Sequence, residues 1–236
     1  MRESILTIPV NEVFEPKQGC PFCRMRDTVE KHICEYIMGA AMMEPDVRME
    51  TNALGFCHRH FCDLLKEGNR LSLGLMLNSH LGNLRGELFE KKGVLDLLKK
   101  DKRTEKANKS NETCFICSKV NWGMNHMVKT FFVLFRDDPK FKPMFCEQEF
   151  ICMPHYSWLR GKAVDAYGKN KNELSEFLNS LDELMSRYAA SLNSDVGEFC
   201  DSFDYRNAGK LHSPDMEHVR TAVNRSIYFL TGRSPD

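Results

Sequence analysis

No stretch of this sequence approaches the ~20 consecutive apolar residues that a membrane-spanning helix needs. The first ten residues, Met1-Arg2-Glu3-Ser4-Ile5-Leu6-Thr7-Ile8-Pro9-Val10, lack the apolar centre and small-residue cleavage site of an export signal. Charge of one sign is also missing: 33 basic and 33 acidic side chains cancel, so no global field draws in nucleic acid or an anionic membrane. There is no phosphate-cradling glycine loop, no GxSxG elbow and no HExxH helix, which removes the common nucleotide, hydrolase and metalloprotease signatures. Nor does any alternating apolar and polar run bounded by turn signals argue for a sheet. What remains is the expectation of a cytoplasmic, all-α protein whose 42% apolar content over 236 residues supplies a sizeable core.

Cysteine, by contrast, is plentiful. Ten are present, and in a reducing compartment they are read as metal ligands or buried thiols rather than disulfides. Eight Cys and His residues repeat one pattern twice. Cys20-Pro21-Phe22-Cys23 is followed by Cys57-His58-Arg59-His60, and Cys114-Phe115-Ile116-Cys117 by Cys152-Met153-Pro154-His155. The gap from the second cysteine to the third is 34 positions in one copy and 35 in the other. Two thiolates spaced by two residues grip an ion from one turn, and a Cys/His pair at the same spacing closes a tetrahedron.

The copies are offset by 94 residues at the first cysteine and 95 at the histidine, as expected of a duplicated unit with one insertion. Apolar residues recur at helical spacing after each CxxC: Val29, His32, Ile33, Tyr36, Ile37 and Ala40, then Val120, Met124, Met127, Val128, Phe131 and Phe132. Pro45 and Pro139 mark where these helices should have ended. A second helix is expected near each CxxH, and a third over roughly 71–98 and 174–203. The chain then divides into a first repeat, 1–98, a basic linker, 99–111, a second repeat, 112–203, and a C-terminal polar turn and helix, 204–236. That last helix would open on Ser213 and Pro214 and turn Met216, Val219, Val223 and Leu230 inward.

If residues 24–43 are helical, the far end lies ~30 Å from Cys23. A return over residues 44–56 could stretch to ~43 Å, so each copy can in principle close its own site. The adopted reading is therefore Cys20, Cys23, Cys57 and His60 for one ion and Cys114, Cys117, Cys152 and His155 for the other. Spacing alone also admits exchange of ligands between copies. Alignment selects His60 and His155, because His58 faces Met153 and Cys62 faces Ser157. His80 falls among Leu73, Leu77, Leu84 and Leu88 on an apolar helix face and is read as packed, as are Cys34, Cys146 and Cys200, which have no counterparts at matching positions. Zinc is the expected metal, two ions, since Cys3His completes its shell; an iron–sulfur cluster is the alternative cofactor.

The opening decapeptide, CPFC, Met42-Met43-Glu44-Pro45-Asp46-Val47-Arg48, Thr51-Asn52, Gly55-Phe56-Cys57, the second CxxC and Asp204-Tyr205-Arg206-Asn207-Ala208-Gly209 together carry a resemblance. The chain resembles an uncharacterised bacterial domain-of-unknown-function family with duplicated CPxC and GFCxxH motifs. Some members carry the label of an ABC-transporter substrate-binding protein, a role outside the membrane that an N-terminus without an export signal does not suit. The resemblance implies a bacterial source and assigns no activity. The expected role is a zinc-binding protein with structural metals and an interaction or regulatory surface for a protein partner or small ligand. Neither a membrane nor nucleic acid is expected as partner. An enzyme with a polar pocket near Arg48, Asp204 and Arg206 is the other reading.

Overall fold

A computed structural model describes residues 7–89, 103–204, 206 and 216–235. The fold is all-α, with no strand among the described residues. In order, the α-helices are α1 (Thr7–Phe14), α2 (Pro21–Met38), α3 (Pro45–Leu54), α4 (His58–Lys66), α5 (Arg70–Leu84), α6 (Arg103–Glu112), α7 (Phe115–Asp137), α8 (Phe141–Cys146), α9 (Met153–Tyr167), α10 (Lys171–Asp201), α11 (Glu217–Arg220) and α12 (Ala222–Thr231). Two compact units emerge, and they do not follow the repeat boundaries: one comprises 1–25 and 126–236, the other 26–125. The divisions fall inside α2 and α7, so each of these helices contributes residues to both units.

The unit containing 126–236 is built on phenylalanine. Phe131 is fully buried and lies 5.1 to 6.3 Å, centroid to centroid, from the rings of Phe14, Phe22, Phe132, Phe135, Phe141, Phe145 and Phe177. Rings at these separations, mostly edge-on or tilted, bury large apolar areas in the geometry their quadrupoles favour. Helix α10, over the expected span, buries Phe177, Leu181, Leu184, Met185, Tyr188 and Leu192 along one face. Asn170 caps its start by accepting from the Asn172 and Glu173 amides. Buried Asp195 on α10 takes Arg225 of α12 at 2.6 Å, a pairing that fixes the C-terminal helix.

That C-terminal segment departs from the expected pattern. Val219 is buried, but Val223 and Leu230 are exposed, and Ala222 and Phe229 face inward instead. A break at Thr221 separates α11 from α12 and shifts the phase of the apolar face. Ser213 and Pro214 lie outside the described residues.

In the unit 26–125, α2 buries Cys34, Ile37 and Met38. The other expected row is only half covered: Val29 and Ile33 are partly buried, whereas His32, Tyr36 and Ala40 are exposed. Where α2 and α7 approach within this unit, Gly123 faces Val29 so closely that a Cβ there would lie 3.0 Å from the valine methyl. The third helix of the first repeat is α5, continued by a π-helical turn at Arg85–Phe89; its expected end, 90–98, lies outside the described residues. Within the basic stretch, α6 buries no residue, as a solvated helix should. His80 meets the reading of a packed histidine, with Nδ1 3.0 Å from the Asn52 carbonyl.

Candidate metal centres

Each CxxC and each CxxH occupies a helix start. Cys20, Cys57, Cys114 and Cys152 immediately precede α2, α4, α7 and α9, and their carbonyls accept from the first turns, for example Cys57 from Phe61 at 3.0 Å and Cys152 from Tyr156 at 2.8 Å. The unsatisfied N–H groups and positive dipole end of such a turn favour a thiolate. Proline at the first position of α2 and the second of α9 supports the turn without losing an intrahelical bond.

The four motifs converge in pairs, but not the pairs adopted from sequence. Cys20 and Cys23 meet Cys152 and His155, while Cys57 and His60 meet Cys114 and Cys117. The CxxC of each copy is completed by the CxxH of the other. The within-copy assignment is therefore corrected, and its weakness was the return segment. Residues 44–56 are not extended; ten of them form α3, which advances only ~15 Å, too little to retrace α2. Likewise the segment after α7 folds into α8.

In the first centre, Nδ1 of His155 lies 3.6, 3.4 and 3.1 Å from the sulfurs of Cys20, Cys23 and Cys152, and the Cys23 and Cys152 sulfurs are 3.6 Å apart. In the second, Nδ1 of His60 lies 3.2, 3.2 and 3.4 Å from the sulfurs of Cys57, Cys114 and Cys117, with Cys57 and Cys117 4.0 Å apart. A zinc tetrahedron with Zn–S of about 2.3 Å and Zn–N of about 2.0 Å has S–S edges near ~3.8 Å and S–N edges near ~3.5 Å. Both clusters match that size, and all ten cysteines are free of disulfides.

The loops feeding these sites are tied down locally. Gly19, at φ +69°, donates its amide to Glu149 at 2.6 Å, and Arg24 donates to the carbonyls of Val13 and Pro16 and to Gln148 Oε1. In the second centre the carbonyl of Gly55, φ +59°, accepts from the Phe115 amide at 2.9 Å, joining the approach to Cys57 with the start of α7. Phe22, between the two cysteines of the first CxxC, is fully buried and stands 6.0 Å from the His155 ring. Gly232 closes the same centre from the C-terminus. Its φ is +68°, and a Cβ there would sit 2.9 Å from the Cys152 sulfur, so backbone alone fits against the thiolates.

Electrostatics differ between the centres. Burial pushes the Cys20 thiol up to about 12, so binding a cation there must expel a proton. At the second centre burial opposes ionisation of His60 and Cys114, but their mutual hydrogen bond outweighs it. Without a cation, that shared hydrogen bond raises His60 and lowers Cys114, and a metal taking Nδ1 would have to displace the proton between them. Burial and the charge of Cys114 in turn hold Cys117 protonated.

The residues set aside behave differently. His58 and Cys62 are 3.7 Å from each other and belong to neither cluster. Cys34 is buried and Cys146 partly so, but Cys200 is exposed, contrary to the packed reading. Asp204 and Arg206 pair with one another, and Arg48 donates to the Leu75 carbonyl within the unit 26–125. The polar residues around α3 serve structure: Thr51 bonds to the Arg48 carbonyl, and Asn52 accepts from Ser79. Sequence reasoning missed two residues beside the centres. Gly232 carries no local signal. Glu30, whose Oε1 is 2.6 Å from His60 Nε2, has methionine at the matching position, Met124, in the other copy.

No curated protein matches the chain, and no solved structure does. A family model described as a family of unknown function, DUF6062, matches residues 1–236. The match spans the whole sequence given, and the chain belongs to this family of unknown function.

Proposed function

We propose that the protein binds two zinc ions, one in each exchanged Cys3His centre, and that these ions are structural. The single observation carrying this reading is the convergence of four ligand atoms in each centre, whose S–N separations of 3.1 to 3.6 Å lie near the edges of a zinc tetrahedron. Four protein ligands close the shell and leave no position for a substrate, which favours support of the fold over catalysis. Ten free thiols suit a reducing, cytoplasmic setting. The biological role then lies on the surface, as an interaction or regulatory function toward a protein or small ligand.

Metal analysis of protein purified without oxygen tests the assignment. Two zinc ions per chain and a colourless solution are expected, and replacement by cobalt should give the visible bands of a tetrahedral thiolate site. A brown preparation containing iron and acid-labile sulfide would overturn zinc in favour of a cluster.

A further inference from the structure

A carboxylate stands behind the histidine of the second centre. His60 points Nδ1 at three sulfurs, and its other nitrogen, Nε2, lies 2.6 Å from Oε1 of Glu30. The Glu30 side chain is only 13% exposed, and its second oxygen pairs with Arg59, which also reaches Asp63 at 3.6 Å. Glu30 lies on α2, and Arg59 and Asp63 lie on α4, the helix that carries His60 itself. A carboxylate held by a guanidinium stays ionised and accepts the Nε2 proton, which leaves the Nδ1 lone pair facing the sulfurs. The His155 ring of the first centre lies 6.0 Å from the rings of Phe22 and Trp158.

We propose that Glu30 is a positioning residue for the second centre: it fixes the tautomer and aim of His60 and slows the loss of metal from that centre alone. This inference rests on the metal-binding reading above. A carboxylate behind a ligating histidine raises its basicity and restrains its ring, and removing such a partner typically weakens metal binding ~10- to 100-fold. Glu30→Gln keeps an oxygen able to accept from Nε2 but removes the charge and sets an amide N–H₂ against Arg59.

The experiment uses the full-length, zinc-loaded chain and follows zinc transfer to a colorimetric chelator. Wild-type protein should release two ions, one per centre. In Glu30→Gln one ion should leave ~10-fold faster or more, while the other keeps its wild-type rate and stoichiometry at saturating zinc stays at two. Unchanged rates for both ions, or equal acceleration of both, would overturn the proposal. A wild-type chain that holds no zinc would instead defeat the metal-binding reading itself. Nitrogen-15 NMR of the wild-type holo-protein decides the matter without any variant: His60 must carry its proton on Nε2 and its metal on Nδ1, and metal on Nε2 would refute the role of Glu30.

Discussion

Cys23→Ser should cost the protein one zinc ion and destabilise the unit formed by 1–25 and 126–236, and Cys117→Ser should do the same to the unit 26–125. The size of the effect follows from scale. Structural zinc contributes about 10–16 kcal/mol in zinc-finger peptides, while a whole domain is stable by only about 5–15 kcal/mol. Losing an ion can therefore remove most of a unit's margin. The structure makes this severe at the first centre, because the metal would join α2, α9 and the Gly232 backbone at one point. The stripped site would also bury Cys20 and Cys152 with no cation between them. Hydrogen exchange read unit by unit, together with a thermal melt, checks the expectation. Protection lost in the unit that holds the altered centre, with the melt lowered by many degrees, is the predicted pattern. A melt within a degree or two of wild type would show that the metal is not structural.

The second large effect lies in the phenylalanine core. Phe131→Ala should destabilise by roughly 3–5 kcal/mol, the usual cost of deleting a fully buried aromatic ring and leaving a cavity. Seven rings lose a neighbour at once, so collapse around the gap cannot restore the contacts without shifting α7, α8 and α10 together. Zinc stoichiometry should stay at two in saturating metal, since no ligand is touched. Trp122→Ala is the control: Trp122 is 64% exposed, and its removal should change stability by no more than about 0.5 kcal/mol. Urea midpoints of the two variants measure the contrast. Comparable midpoints would mean that Phe131 is not the centre of the core.

Much of this arrangement was legible in the sequence because its signals are local. The helical apolar spacing of Val120 to Phe132 survives intact in α7, where Val120, Met124, Met127, Val128, Phe131 and Phe132 are all buried. The eight ligands were legible because duplication filters chance: His60 and His155 match across the copies, and His58 does not. What could not be read was long-range. Whether residues 44–56 run extended or fold into α3 decides which CxxH reaches which CxxC, and Pro45 at the first position of a helix looks the same as Pro45 ending one. The half-covered row of Val29, Ile33 and Tyr36 was overestimated for a related reason, since periodicity reports an apolar face and not what packs against it. Glu30 escaped because a carboxylate that reaches a histidine thirty positions away leaves no trace in spacing.

The exchange of ligands between the copies also changes what duplication means here. Neither copy alone could hold a four-ligand ion in this arrangement, because each supplies a thiolate pair to one centre and a Cys/His pair to the other. With metal bound as proposed, each centre would tie a CxxC of one repeat to the CxxH of the other.

Zinc content of two double variants under chelator competition tests that exchange most directly. Cys23→Ser with Cys152→Ser removes two ligands from a single centre, so the chain should retain one ion. Cys23→Ser with Cys57→Ser removes one ligand from each centre, and the chain should retain none. One ion in the second variant and none in the first would contradict the exchanged pairing and restore a closed site within each copy.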